Sequence, residues 1–226
     1  YNHIPSSGAY TMKLYITDIS QTSINHLRGL VDSVRIEKSR QYRHESDQLR
    51  SLAAGALLNY AVKENFPKQS IPVTPATDEF RKPHLDFTEF SLTHSGSYAA
   101  CALCENPVGI DIEHVRAYRP AIAKRFFTPE ESDACVDADT FSVCWTLKES
   151  FLKATGYGIR LPMDSFEIRP FSFTVKPNAP ADYEYTHSID ARRYFARTYV
   201  INPQNYLSVC SADNNGFPDS IHWVSL

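Results

Sequence analysis

Residues 145–158, WTLKESFLKATGYG, set two lysines and a glutamate among large apolar side chains in a helix-forming run that stops at Gly-Tyr-Gly. Cys144, Leu147, Phe151 and Ala154 recur at helical spacing and predict a core-facing side. Trp145, Glu149 and Lys153 form a second stripe, and Gly156 suits a C-terminal cap. Glu149 and Lys153 stand four residues apart, so one reading is a mutual ion pair worth about a few tenths of a kcal/mol. The other is that both face a charged ligand. A carboxylate there holds a metal ion or accepts a proton, and an ammonium neutralises a phosphate.

A second chemical pattern lies upstream, in VGIDIEHV at residues 108–115. On a strand, Ile110 and Ile112 take one face while Asp111 and Glu113 take the other. Two residues of rise put those carboxylates roughly 6–7 Å apart at their bases. Both then reach one hard cation such as magnesium, which is held by carboxylates together with waters and phosphate oxygens. The competing reading is the polar outer face of an amphipathic edge strand. Cys101 and Cys104 have the C-x-x-C spacing of zinc and redox sites. Within the apolar run YAACALCEN, and with no second such pair, they read instead as small buried hydrophobes.

These residues need elements to hold them. MKLYITDI from Met12 reads as an opening strand, with residues 1–11 as a tail outside the fold. Residues 48–62 have apolar side chains at helical spacing and predict a helix packed on one side. Just upstream, Arg35, Lys38, Arg40, Arg43 and Arg50 are interspersed with Glu37, Glu45 and Asp47. That mixture reads as a solvated helical face, with an anion site as the alternative. Residues 66–86 read as loop with short extended pieces. EFSLTHSG and SYAACALCENPVGIDIEHV predict a strand, a turn at Ser95-Gly96, and two strands parted by Asn106-Pro107. Thr128-Pro129-Glu130-Glu131 is a capping box with proline at the first helical position. Period-two alternation at Phe166/Ile168, Phe171/Phe173/Val175, Tyr194/Ala196/Thr198 and Tyr206/Ser208/Cys210 predicts antiparallel strands. The expected class is α+β, each half offering strands and one long helix, with a division near Asn106-Pro107.

The 226-residue chain is long enough to bury a sizeable core. A net charge of −3 gives no sequence-wide electrostatic case for nucleic acid or a membrane surface. No apolar run approaches the roughly 20 residues of a membrane span. The N-terminal residues have no signal-peptide pattern, and the cysteine usage suits the cytoplasm.

VGIDIEHVR followed by WTLKESFLKATGYG resembles the 4′-phosphopantetheinyl transferases, specifically the larger surfactin-synthetase-activating type. That signature is (V/I)-G-(I/V)-D-x-E, then W-x-x-K-E-(S/A)-x-x-K-x-x-G-x-G, and every fixed position is matched. EFSLTHSG is similar to the family's strand ending S-H-S-G, RKPHL to its G-K-P loop, and AKRFFTPEE to its helix between the motifs. The resemblance covers most of residues 12–212.

It implies two similar α+β halves in pseudo-twofold arrangement, residues 12–107 and 108–226, each with antiparallel strands packed on a long helix. Coenzyme A would bind between them, with Mg²⁺ at its pyrophosphate. The reaction would move the phosphopantetheine arm to a serine of an apo acyl or peptidyl carrier protein, releasing adenosine 3′,5′-bisphosphate. By position, Asp111, Glu113 and Glu149 would hold the metal, Glu149 would act as base, and Lys153 would steady the phosphate. Lys148 would face the coenzyme, Thr93 and His94 would contact it, and Arg35, Lys38, Ser51 and Lys82 would hold its nucleotide end. A small acidic carrier would dock near residues 121–127, beside Arg119 and Lys124, although Phe126 and Phe127 read as core. A monomer is expected, since two halves in one chain complete a cleft.

The sequence departs from the pattern at Arg81, where glycine is usual, at Thr93, where serine is common, and at Arg35, where lysine is frequent. None of these removes a catalytic group. Two rival readings are another Mg²⁺-dependent phosphoryl enzyme, such as a phosphatase or nuclease, and a non-catalytic carrier- or nucleotide-binding module. The first needs no Trp-Lys-Glu-Ser helix, and the second has no use for all four of Asp111, Glu113, Glu149 and Lys153.

Overall fold

A computed structural model describes residues 11–78, 82–186, 192–214 and 216–226. Arg81 and the first ten residues lie outside the described residues. In chain order the elements are β1 (Lys13–Asp18), α1 (Ile24–Arg28), α2 (Ser33–Arg40), α3 (Glu45–Asn65), β2 (Ala76–Thr77), β3 (Pro83–His84), β4 (Glu89–Ser95), β5 (Tyr98–Cys104) and β6 (Val108–His114). There follow α4 (Pro120–Phe126), α5 (Pro129–Ala134), α6 (Ala138–Thr155), β7 (Ile168–Arg169), β8 (Ala181–Tyr185), β9 (Phe195–Asn202), β10 (Asn205–Ser211) and β11 (His222–Trp223). The class is α+β, as expected.

One sheet runs β11-β1-β5-β4 and a second runs β6-β10-β9-β8-β7. Side-chain alternation divides β1, β5 and β10 between two cores, while β6 gives one face to the core and the other to polar residues. On β1, β5, β6 and β10, side chains such as Leu14, Ile16, Ala100, Ala102, Ile110, Ile112, Leu207 and Val209 share one apolar cluster, which joins the two sheets. The opposite faces receive the long helices. Tyr15, Cys101 and Leu103 pack on Leu57, Leu58 and Ala61 of α3, while Tyr206 and Cys210 pack with Cys144, Leu147 and Phe151 of α6. The Cys101–Cys104 spacing places the two thiols in different clusters, and all five cysteines are buried and free.

Local chemistry sets the helix ends. Asp32 caps α2, accepting from the Arg35 N–H at 2.9 Å. Thr128 and Glu131 form the capping box of α5, and Asp137 with Thr140 that of α6. Gly156 closes α6 in the left-handed region, φ 76°, where a side chain would be strained.

Three differences from expectation have physical causes. Helix α3 starts at Glu45 rather than residue 48, with acids Glu45 and Asp47 in its first turn favouring the helix dipole. Residues 171–175 form no strand; Phe173 and Val175 are still buried in the core, but the segment leaves Pro170 through a tight turn, with the Ser172 N–H on the Pro170 carbonyl, and has no ladder partner. The C-terminal segment returns to the first sheet, where Tyr15 and Ile16 pair in parallel with His222 and Trp223.

Candidate active site

Strand β6 meets α6 at Gly109. A Cβ there would stand 2.0 Å from the Ser150 carbonyl oxygen and 2.3 Å from the Ala154 nitrogen, so only glycine lets the strand lie on the helix backbone. This contact sets Asp111 against Lys153, whose Nζ donates to Asp111 Oδ1 at 2.6 Å and to the Ile110 carbonyl at 3.0 Å. Lys153 therefore crosses to β6 instead of pairing with Glu149 on its own helix. Glu149 makes no hydrogen bond or ion pair with any described residue. The i, i+4 ion-pair reading of that stripe is excluded.

Asp111, Glu113, Glu149 and Lys153 line one cavity of about 890 Å³, which draws its lining from both sides of Asn106-Pro107. Arg35, Lys38, Ser51, Lys82, Thr93 and His94 line it as well. Arg40 and Glu37 pair with each other on the solvated side of α2. Arg35 and Lys38 have no ion-pair partner among the described residues. The Arg35 side chain lies across Gly55 of α3, where a Cβ would approach Arg35 Cγ and Nε to 3.0 Å. Lys82 reaches the end of α6, donating to the Ala154 carbonyl at 3.1 Å.

Desolvation lowers the pKa of Arg35, and desolvation with the Arg35 charge lowers that of Lys38. Asp32 offsets part of the Arg35 shift without forming an ion pair, and the two neighbouring cations are a ready seat for an anion. Burial, then the charges of Lys153 and Arg50, push His94 below the usual histidine range, so it is neutral at pH 7. The carboxylates shift the other way. Burial raises Asp111 against the pull of Lys153. Burial and the Asp111 charge raise both Glu113 and Glu149. Three acids crowded this way favour protons or a cation.

The donor set is all oxygen, which suits magnesium rather than zinc or copper. The described residues nevertheless contain no group of three or more His, Cys, Asp or Glu side chains converged to hold a metal ion. Asp111 Oδ1 is taken by Lys153 and by the Thr93 hydroxyl at 3.1 Å. The carboxylates thus fit magnesium as a partial ligand set, of the kind completed by water and substrate phosphate oxygens.

Two site expectations are corrected. Lys148 does not face the cavity. It is fully buried, pairs with Glu131 at 2.7 Å, and donates to the carbonyls of Met163 and Phe166. One residue along a helix turns the side chain by about 100°, which carries Lys148 from the Glu149 stripe into the core. Phe126 is not core: it is 36% exposed and lines the cavity beside Arg125 and Trp145, whereas Phe127 is buried as expected. Sequence reasoning missed Arg125, Ile159 and Met163 in the lining. Ile159, fully exposed, falls within the Gly-Tyr-Gly-Ile turn where no periodicity assigns a face.

A family profile described as the 4′-phosphopantetheinyl transferase superfamily matches residues 107–201. The chain is 30% identical over 216 residues to the 4′-phosphopantetheinyl transferase Sfp of Bacillus subtilis (strain 168), covering 92% of this chain and 93% of that protein. A second Bacillus subtilis 4′-phosphopantetheinyl transferase is 32% identical over 197 residues, 83% of this chain and 85% of its own. The mouse L-aminoadipate-semialdehyde dehydrogenase-phosphopantetheinyl transferase is 36% identical over 110 residues, 42% of this chain and 34% of its own.

Proposed function

The chain belongs to the 4′-phosphopantetheinyl transferase superfamily, and on that premise we propose that it moves the phosphopantetheine arm of coenzyme A to a serine of an apo carrier protein. The reaction is Mg²⁺-dependent and releases adenosine 3′,5′-bisphosphate. The observation that carries this reading is the shared cavity. Asp111, Glu113 and Glu149 line it with Lys153, and so do the unpaired cations Arg35 and Lys38.

Arg35, Lys38, Ser51 and Lys82 take the nucleotide end of coenzyme A and His94 takes a phosphate beyond it, while the Thr93 hydroxyl, its one hydrogen given to Asp111, holds that carboxylate instead of the coenzyme. Asp111, Glu113 and Glu149 would hold a magnesium ion, which would supply positive charge at the pyrophosphate. Glu149, raised by burial and by Asp111, accepts the serine proton directly or through water. The serine oxygen bonds to the phosphorus that bears the pantetheine arm, as the bond from that phosphorus to the bridging oxygen breaks. Lys153 has three N–H groups; two engage β6, leaving the third for a phosphate oxygen. The half of residues 12–107, joined by the returning β11, and the half that begins at residue 108 bound the cleft. The exposed Arg119, Lys124 and Arg125 near α4 suit an acidic carrier.

The test is incubation of the protein with coenzyme A, Mg²⁺ and a panel of apo carrier proteins, read by intact mass. One phosphopantetheine is gained per carrier, and the gain disappears on chelation. Asp111→Ala and Glu149→Ala lose transfer while circular dichroism reports an unchanged fold. Substantial transfer by both variants contradicts the assignment.

A further inference from the structure

Strands β4 and β6 are the edges of their two sheets, and they meet without a backbone ladder. An edge strand leaves a row of backbone N–H groups without a strand partner. Here three side-chain hydroxyls from β4 take that role. Ser91 Oγ accepts from the Ile110 N–H at 3.1 Å, Thr93 Oγ1 from the Ile112 N–H at 3.2 Å, and Ser95 Oγ from the His114 N–H at 3.2 Å. The three are buried, and each steps two residues along both strands, so together they fix the register of one sheet edge on the other.

Two of the rungs do more. A hydroxyl has one hydrogen to donate besides the lone pairs it offers. Thr93 gives that hydrogen to Asp111 Oδ1 at 3.1 Å, and Ser95 gives its own to Glu113 Oε2 at 3.3 Å. Each of these hydroxyls therefore ties a carboxylate to the backbone N–H of the following residue. Ser91 sits on the same strand face and grips the same strand, but the residue before its N–H partner is Gly109, which has no side chain to receive a hydrogen bond.

We propose that Ser95 is a positioning residue for the metal site, aiming the Glu113 carboxylate, while Ser91 serves the register alone; this rests on the reading of Glu113 as a magnesium ligand. The serine touches no reacting atom. Its hydrogen bond, together with the His114 N–H and the Arg116 charge, selects one orientation of the Glu113 carboxylate beside the Asp111 charge. Removing such an outer contact weakens metal binding by about 10- to 100-fold in known sites.

The experiment is calorimetric titration of Mg²⁺ into the protein with saturating coenzyme A and no carrier, so that no turnover occurs. Ser95→Ala weakens Mg²⁺ binding by about tenfold or more, and Ser95→Thr, which keeps the hydroxyl, restores it. Ser91→Ala leaves Mg²⁺ affinity unchanged, although its thermal melt moves down as that of Ser95→Ala does. Wild-type Mg²⁺ affinity in Ser95→Ala overturns the inference. So does equal weakening by Ser91→Ala, which would make the rungs structural only. Glu113→Gln separates the two levels. If it leaves Mg²⁺ affinity intact, the metal reading of Glu113 fails. If it weakens binding while Ser95→Ala does not, only the positioning role fails.

Discussion

Glu149 is a carboxylate drawn largely out of solvent, facing a cavity, with no donor among the described residues. Burial first, and Asp111 second, raise its pKa above the ordinary carboxylate range. A group whose folded pKa exceeds its unfolded one favours the fold while protonated, and that contribution is lost as pH rises through the folded value. Without divalent metal, the wild type therefore loses stability between the ordinary glutamate range and the raised value. Glu149→Gln lacks this loss and is the more stable of the two at neutral pH, though inactive. Denaturant melts across pH 4 to 8 in chelator check this; a wild-type curve parallel to that of Glu149→Gln would show that the carboxylate is not strained. At this scale the sequence was legible where type and period agree. Asp111, Glu149 and Lys153 sit where strand alternation and helical spacing place them. Lys148 was not legible, because its partner Glu131 comes from another helix and no local spacing signals it.

The buried Lys148–Glu131 pair locks several elements together. Glu131 Oε2 accepts from the Thr128 N–H at 3.0 Å and Oε1 from the Ile168 N–H at 2.8 Å, so α5, α6 and β7 share one carboxylate. Lys148→Met leaves that carboxylate buried and uncompensated, which costs about 3–5 kcal/mol of stability. Glu131→Gln combined with Lys148→Met recovers part of it, because a neutral amide still accepts a backbone N–H. In both variants the KM for coenzyme A, measured well below the melting temperature, is unchanged, which would not hold if Lys148 touched the coenzyme. Gly109 acts between elements too. Gly109→Ala forces β6 from α6, costing about 1–3 kcal/mol or more, and reduces kcat beyond what the lost stability explains. Steady-state kinetics with a parallel melt check this; full activity in Gly109→Ala would show that the close approach is dispensable. The capping boxes and the Gly156 stop were readable because their chemistry is local. Residues 171–175 misled because period-two burial also arises where irregular chain crosses a core without pairing.

Across the whole molecule, two sheets share an apolar cluster, each carries a long helix on its other face, and a cavity opens where residues of both gather. The helix–strand inventory made the α+β class legible. The return of His222 and Trp223 to β1 was not, since a two-residue edge pairing has no sequence period. Nor were the hydroxyl rungs between β4 and β6, which become visible only when both edges are placed. No helix among the described residues is long and apolar enough to cross a membrane. On the proposed reading the three carboxylates would form only part of a magnesium ligand set, so coenzyme A and metal are expected to bind together, each strengthening the other. Crystals grown with coenzyme A and Mn²⁺ in place of Mg²⁺, examined for anomalous scattering, test this most directly. The account predicts a single peak coordinated by Asp111, Glu113 and Glu149 together with pyrophosphate oxygens. A peak bound elsewhere on the coenzyme, with none of those three carboxylates in contact, would contradict it.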